Sequence, residues 1–148
     1  MTAPAATWSD TDILARTLYG EARGESLAGI QAVASVILNR QAVVVARPAR
    51  IKQFGGPAIG SICQALWQFS CWLPDDPNYR ALHAATIVGA AFQTCTSVAR
   101  QAVAGQLVDA TGKADHYCVT RIAERTAWAR GRTPTVIIGA HSFYRLEG

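Results

Sequence analysis

The chain has 148 residues, half of them hydrophobic and 16% charged, which excludes a disordered or fibrous protein and suits one domain. Its net charge of +4 favours polyanionic partners such as nucleic acid, anionic lipid or the bacterial cell wall. The arginines are scattered, without basic runs or interleaved aromatics, which argues against nucleic acid.

Residues 1–8 are expected to be flexible and 9–148 to form the domain. Met1 to Thr7 lacks a charged segment leading into an apolar core, so it does not read as a signal peptide. Ser9 is placed to cap a helix, with Asp12 as the capping-box acid, and Ile13, Leu14, Thr17 and Leu18 mark its apolar face. Gly20 and Gly24 bracket Glu21, so this helix should end or loosen there. Ser26 caps a second helix, whose Leu27, Ile30, Val33, Ala34, Ile37 and Leu38 give the strongest amphipathic signal in the chain. The longest apolar run, Ala42 to Ala46, is far too short to span a bilayer.

Arg47 to Gly60 holds two prolines and three glycines and predicts a loop. Ser61 to Trp67 suits a short helix, followed by the aromatic segment Gln68 to Trp72 and a turn over Leu73 to Pro77. Asn78 is placed to cap a long helix reaching about Ala104, stopped by Gly105. Asp109 to Gly112 is a turn, Ala114–Val119 a strand and Ile122–Arg130 a helix. Thr135–Ile138 is a further strand, with Ser142–Arg145 as its partner. The sum is an α+β domain, mainly helical with a small β-sheet. Cys63, Cys71, Cys95 and Cys118 fit no close-paired zinc pattern, and three disulfide connectivities are open to them. Cys63 and Cys95 sit in apolar helical contexts and read as small buried hydrophobes.

Leu18-Tyr-Gly-Glu-Ala-Arg-Gly-Glu25 is the most unusual segment. A carboxylate between two glycines at a helix end is poor helix design, and misfits of that kind mark functional sites. Breaking a glycosidic bond needs an acid that keeps its proton near neutral pH. Burial by Leu18 and Tyr19, or a like charge on Glu25, would raise the pKa of Glu21, whereas pairing with Arg16 or Arg23 would lower it. Both arginines are expected to point elsewhere, with Glu21 partly buried at the floor of a cleft. On spacing alone, solvated helix-end charges are the favoured account of Glu21 and Glu25. Phe69, Ser70, Trp72, His116, Tyr117, Phe143 and Tyr144 suit the wall of a sugar cleft, and core packing explains each singly as well. His116 and His141 with Asp109 or Asp115 make a weak metal set, and Ser70 lacks the glycines of a nucleophile elbow.

Taken in order, six segments resemble the SleB-type cell-wall hydrolases, the family of spore cortex-lytic enzymes and related phage and bacterial lysins. They are Ala15-Arg-Thr-Leu-Tyr-Gly-Glu-Ala-Arg-Gly-Glu25, Val36-Ile-Leu-Asn-Arg40, Gln68-Phe-Ser-Cys-Trp72, Asp109-Ala-Thr-Gly112 running into Ala114-Asp-His-Tyr117, Trp128-Ala129 and Ile138-Gly-Ala-His-Ser-Phe-Tyr-Arg145. The resemblance implies a lysozyme-like, lytic-transglycosylase-like catalytic domain over 9–148, without metal or cofactor. It implies cleavage of peptidoglycan glycan strands between N-acetylmuramic acid and N-acetylglucosamine. Glu21 falls on the catalytic position, as the acid that protonates the glycosidic oxygen. As carboxylate it then takes a proton from the muramic acid C6 hydroxyl, which closes a 1,6-anhydro ring. Phe69, Ser70, Trp72, His116, Tyr117 and Phe143 are implied as substrate-binding positions, with Tyr19, Glu25, Asn39 and His141 in support.

Two alternatives stay open: a non-catalytic glycan-binding domain, and a hydrolytic muramidase with a second carboxylate. Glu25 meets that second requirement only if the helix runs on through Gly24. Lys113 stands where a second glycine is expected, Cys118 where family members often carry a polar residue, and Arg47–Ile59 departs from the family pattern. Nucleic acid and stable membrane insertion are not expected. The implied place of action is the cell wall or periplasm, reached from the cytoplasm by a route such as a holin pore, as for a phage endolysin.

Overall fold

In this computed structural model residues 8–66 and 68–147 are described; expectations placed on residues 1–7, Trp67 and Gly148 lie outside them. The helices are α1 (Asp10–Ala22), α2 (Leu27–Ala46), α3 (Ile51–Phe54), α4 (Ile59–Cys63), α5 (Tyr79–Leu82) and α6 (Ala90–Val103). The strands β1 (His116–Val119), β2 (Val136–Ile138) and β3 (His141–Tyr144) follow. The expected mainly helical α+β class with a small sheet is what the chain forms.

Ser9 caps α1, its hydroxyl oxygen accepting from the Asp12 N–H at 3.1 Å, the reason a serine precedes the first apolar turn. The Asp12 carboxylate accepts from that same hydroxyl at 3.2 Å, which is not the reciprocal bond of a capping box. α1 ends at Ala22, as the two flanking glycines predict. Ser26 caps α2 by accepting from Gly29 N–H at 3.2 Å. Every residue from Ala32 to Ile37 is buried, so α2 is covered on all sides at its middle rather than along one face. By length and composition alone this 20-residue helix could cross a membrane; here its middle is the centre of the fold.

Two stretches depart from expectation. The predicted loop 47–60 contains a 3-10 turn over Pro48–Arg50 and the short helix α3. Pro48 begins the turn, where its missing N–H has no partner to lose. The predicted long helix from Asn78 is broken between Leu82 and Ala90. There Arg16, reaching across from α1, donates to the carbonyls of Leu82, Ala84 (2.7 Å) and Ala85 (3.3 Å). A buried guanidinium thus satisfies carbonyls that a helix end leaves free. The predicted helix at Ile122–Arg130 is a 3-10 segment, Thr120–Arg125.

The sheet has the order β1-β3-β2, antiparallel throughout, with Tyr117 opposite Phe143 and both Val119 and Ile138 opposite His141. The main core gathers Leu14, Leu18, Ile30, Val33, Ile37, Ile62, Phe69, Leu82 and Val98 from α1, α2, α4, α6 and the intervening segments. A smaller one joins Ala32 and Val36 of α2 to Ala114 and Phe143 at the sheet. All four cysteines are free thiols.

Asp109 builds the turn before β1. Its Oδ1 accepts from Thr111 N–H (2.7 Å) and Oγ1 (2.6 Å), and its Oδ2 accepts from Lys113 N–H (3.0 Å). Lys113 has φ +62°, alone among the described non-glycine residues in having a positive value, which explains why a glycine was expected there. A side chain in that region costs about 1–2 kcal/mol, part of which glycine returns through its freer unfolded chain. Lys113→Gly is expected to stabilise the fold by about 1 kcal/mol, a rise of about 2–4 °C in Tm. A calorimetric Tm at or below that of the parent would show that the turn stores no such strain.

Candidate active site

Glu21 sits half-buried in the last turn of α1. Its Oε2 accepts from the Tyr117 hydroxyl at 3.3 Å, and its Oε1 accepts from Cys71 N–H at 3.5 Å. The segment that supplies Cys71 lies almost on the helix. A Cβ placed on Gly20 would fall 2.7 Å from Cys71 Cβ and 3.0 Å from Leu82 Cδ1, so the position before Glu21 must lack a side chain. Trp72 locks the approach, its Nε1–H donating to Thr17 Oγ1 at 2.9 Å. Thr17 and Glu21 are four residues apart and therefore share one face of α1.

Burial is the main influence on Glu21 and raises its pKa above the ordinary glutamate value; the nearby charge of Asp76 adds to the rise. The bonds from Cys71 and Tyr117 favour the carboxylate and pull the other way. Neither neighbouring arginine is paired with it. Arg16 holds the carbonyls described above and stacks on Trp8 at 4.1 Å. Arg23 donates to Asn78 Oδ1 at 2.6 Å and lies over Tyr19 at 4.7 Å. A second buried cation is Arg40, 5% exposed between the rings of Phe54 (5.0 Å) and Phe69 (5.2 Å). Its Nε–H donates to Asp115 O at 2.7 Å and its second nitrogen to Gln68 Oε1 at 3.2 Å. Burial lowers the pKa of Arg40, while the charges of Tyr117, Asp115, Cys63 and Glu21 hold it up. Burial also pushes the Cys71 thiol well up and the Cys63 thiol to about 12, so both stay protonated and unreactive.

Glu25 is not the helical neighbour of Glu21. Its N–H donates to Ala22 O at 2.9 Å in the turn after α1, and Gly24 lies outside the helix. Its Oε1 lies 3.0 Å from His141 Nδ1.

Of the other expected site residues, Tyr117 reaches Glu21 directly and Trp72 reaches the same helix face. Phe69 and Phe143 are buried. Phe69 packs on Arg40 and Phe143 behind Tyr117, with ring centroids 5.8 Å apart, so both support the site from within and offer no face to a sugar. His116 alternates with Tyr117 along β1 and so projects to the opposite side. There its Nδ1 lies 2.8 Å from Asp115 Oδ1 and its ring 5.0 Å from Trp128, which removes it from Glu21. Tyr19 turns toward α6, edge-on to Phe92 at 5.7 Å. Asn39 donates to Asp109 Oδ2 (3.1 Å) and Ala114 O (2.8 Å), tying the turn before β1 to α2. Ser70 is exposed and lines a cavity of about 320 Å³ with Leu73, Pro74, Asp75, Asp76 and Pro77. Glu21 is partly buried as expected, but it is not a wall of that cavity. The residues that sequence reasoning missed are Cys71, whose contribution is a backbone N–H, and Asp76 and Arg40. Asp76 lay hidden in a stretch that read as a plain turn. Arg40 carried one signal of its own, the single charge within α2.

Residues 24–144 match the family model described as Cell Wall Hydrolase, a match that begins three residues after Glu21. The chain is similar in structure to the catalytic domain of the germination-specific lytic transglycosylase SleB from Bacillus anthracis. The TM-score is 0.69 at 24% identity, covering 97% of this chain and all of that one (100%). It is likewise similar to the catalytic domain of the Bacillus cereus SleB protein, with a TM-score of 0.66 at 26% identity, covering 94% and 93%. The architecture is thus the lysozyme-like fold of those domains. No curated protein matches the chain.

A carboxyl whose pKa is higher folded than unfolded favours folding below its unfolded value and loses that contribution as pH rises through the folded one. Glu21→Gln is therefore expected to melt above the parent at neutral pH, the gap closing toward about pH 4. Equal melting curves across that window would show that Glu21 is not desolvated. Gly20→Ala forces a methyl into Cys71 and is expected to cost about 1–3 kcal/mol in denaturant unfolding. A neutral result would mean that the helix and the Cys71 segment are free to separate.

Proposed function

The chain belongs to the Cell Wall Hydrolase family, and from that premise we propose that it is a peptidoglycan lytic transglycosylase in which Glu21 serves first as acid and then as base. One observation carries the reading. Glu21 is a half-buried carboxyl with a raised pKa and, among the described residues, no ion-pair partner, while the other carboxylate of its motif lies against His141.

The two opposed influences on Glu21 match the two halves of the reaction. Burial stabilises the protonated form, which gives its proton to the glycosidic oxygen as positive charge builds at the anomeric carbon. The Tyr117 hydroxyl and Cys71 N–H then stabilise the carboxylate left behind, as donors aimed at developing charge do. That carboxylate takes the proton of the muramic acid C6 hydroxyl, whose oxygen bonds to the anomeric carbon. The products are a 1,6-anhydro end and a free 4-hydroxyl, and Glu21 is again protonated.

A second reading draws on Asp76, whose charge reaches Glu21: a second carboxylate that activates water would make the enzyme a hydrolase. Product analysis separates the two. Mass spectrometry of digested peptidoglycan is expected to show anhydro ends, with Glu21→Gln slowing their release by about 10²- to 10⁴-fold. Reducing ends that vanish in Asp76→Asn would establish the hydrolase instead. Lysis at the parent rate by Glu21→Gln would end both readings.

A further inference from the structure

Glu21, Tyr117, His141 and Glu25 lie in series beside the site. The Tyr117 hydroxyl bonds Glu21 at 3.3 Å. The His141 ring meets the Tyr117 ring edge-on, with centroids 5.3 Å apart and planes at 89°. His141 Nδ1 is buried and has no in-line hydrogen bond among the described residues; the Glu25 carboxylate is its neighbour at 3.0 Å. The turn before β3 closes on that carboxylate. Gly139, at φ +58°, leaves room for it, since a Cβ there would fall 2.5 Å from Glu25 Oε2. Phe143 backs Tyr117 from behind at 5.8 Å. Tyr117 therefore packs against two aromatic rings that lie 6.4 Å from each other, and one of them, His141, has Glu25 as its neighbour.

We infer that Glu25 is a positioning residue: by fixing His141 it holds the Tyr117 ring, and through that ring it sets the hydroxyl on the Glu21 carboxyl. This rests on the reading of Glu21 as the acid, but the role can be measured without turnover. The alternative for a second carboxylate close in sequence is a field effect, which has the opposite sign. A nearby negative charge raises the Glu21 pKa, so removing the charge lowers it. The Tyr117 bond favours the carboxylate, so losing that bond raises it. The other titratable groups bearing on Glu21 and Tyr117 are Cys71, Asp76 and Arg40, all left in place by changes at Glu25.

The chain's glutamates are Glu21, Glu25, Glu124 and Glu147, so the Glu21 carboxyl carbon is assignable by NMR from the signal missing in Glu21→Gln. Its titration should move up by about half a pH unit in Tyr117→Phe, the equivalent of one weak hydrogen bond. Glu25→Ala should move it the same way, and the double variant no further, because the two act on one contact. Glu25→Gln keeps an acceptor for His141 and the shape of the side chain, and should leave the titration where it is. A downward move in Glu25→Gln, or additive shifts in the double variant, would overturn the inference. Should Glu25→Ala not fold, His141→Ala replaces it, with the same upward move expected and no further move in the double variant with Tyr117→Phe; an unmoved titration would overturn the inference. Failure of the parent reading would look different: the titrations would follow this pattern while Glu21→Gln still cleaved glycan.

Discussion

The arrangement hangs on how closely α1 approaches the segment at Cys71. That distance is set by the missing side chain at Gly20 and secured by Trp72 on Thr17. Bringing the two together takes Glu21 out of water and places a backbone N–H against it. A longer side chain at position 20 would return the carboxyl to solvent, where an ordinary glutamate is fully ionised at neutral pH and has no proton to give. The glycine that looked like poor helix design is what lets Cys71 come so close to Glu21, and the chemistry proposed for that carboxyl depends on it.

The same helix settles the fold at its other side. Arg16 is buried, yet among the described residues it pairs with no carboxylate; it serves the carbonyl ends of the chain where α5 stops. Arg40 does comparable work under the site, held by two aromatic faces, a carbonyl and a glutamine. Charges placed this way keep strong donors on backbone groups and leave burial as the main influence on Glu21, which a direct arginine–glutamate pair would oppose.

Local signals were legible wherever the chain decides its own conformation. Ser9 and Ser26 announce the helix starts and Asp109 and Gly112 the turn; Lys113 is out of place only against the family pattern, and its left-handed backbone gives the physical reason. Legibility failed where a distant group decides. Nothing between Asn78 and Ala104 shows that Arg16 will arrive to end a helix after Leu82, and a proline- and glycine-rich stretch still wound into α3. The site shows the same division. Glu21 stood out by its setting and Tyr117 by its type, but the Cys71 contribution is a main-chain group that every residue possesses. His116 and Tyr117 are adjacent in sequence and equally suited to a sugar cleft, yet strand alternation sends them to opposite sides.

α2 contributes to both apolar clusters, with Val33 and Ile37 in one and Ala32 and Val36 in the other. The helices that carry Glu21 and the sheet that carries Tyr117 therefore have no seam along which to part. Loosening either half strips the cover from α2, so local opening near the site is coupled to loss of the whole native state. The geometry around Glu21 is kept by the cooperativity of the entire domain, and the amides at the buried middle of α2 would exchange their hydrogens only through global unfolding.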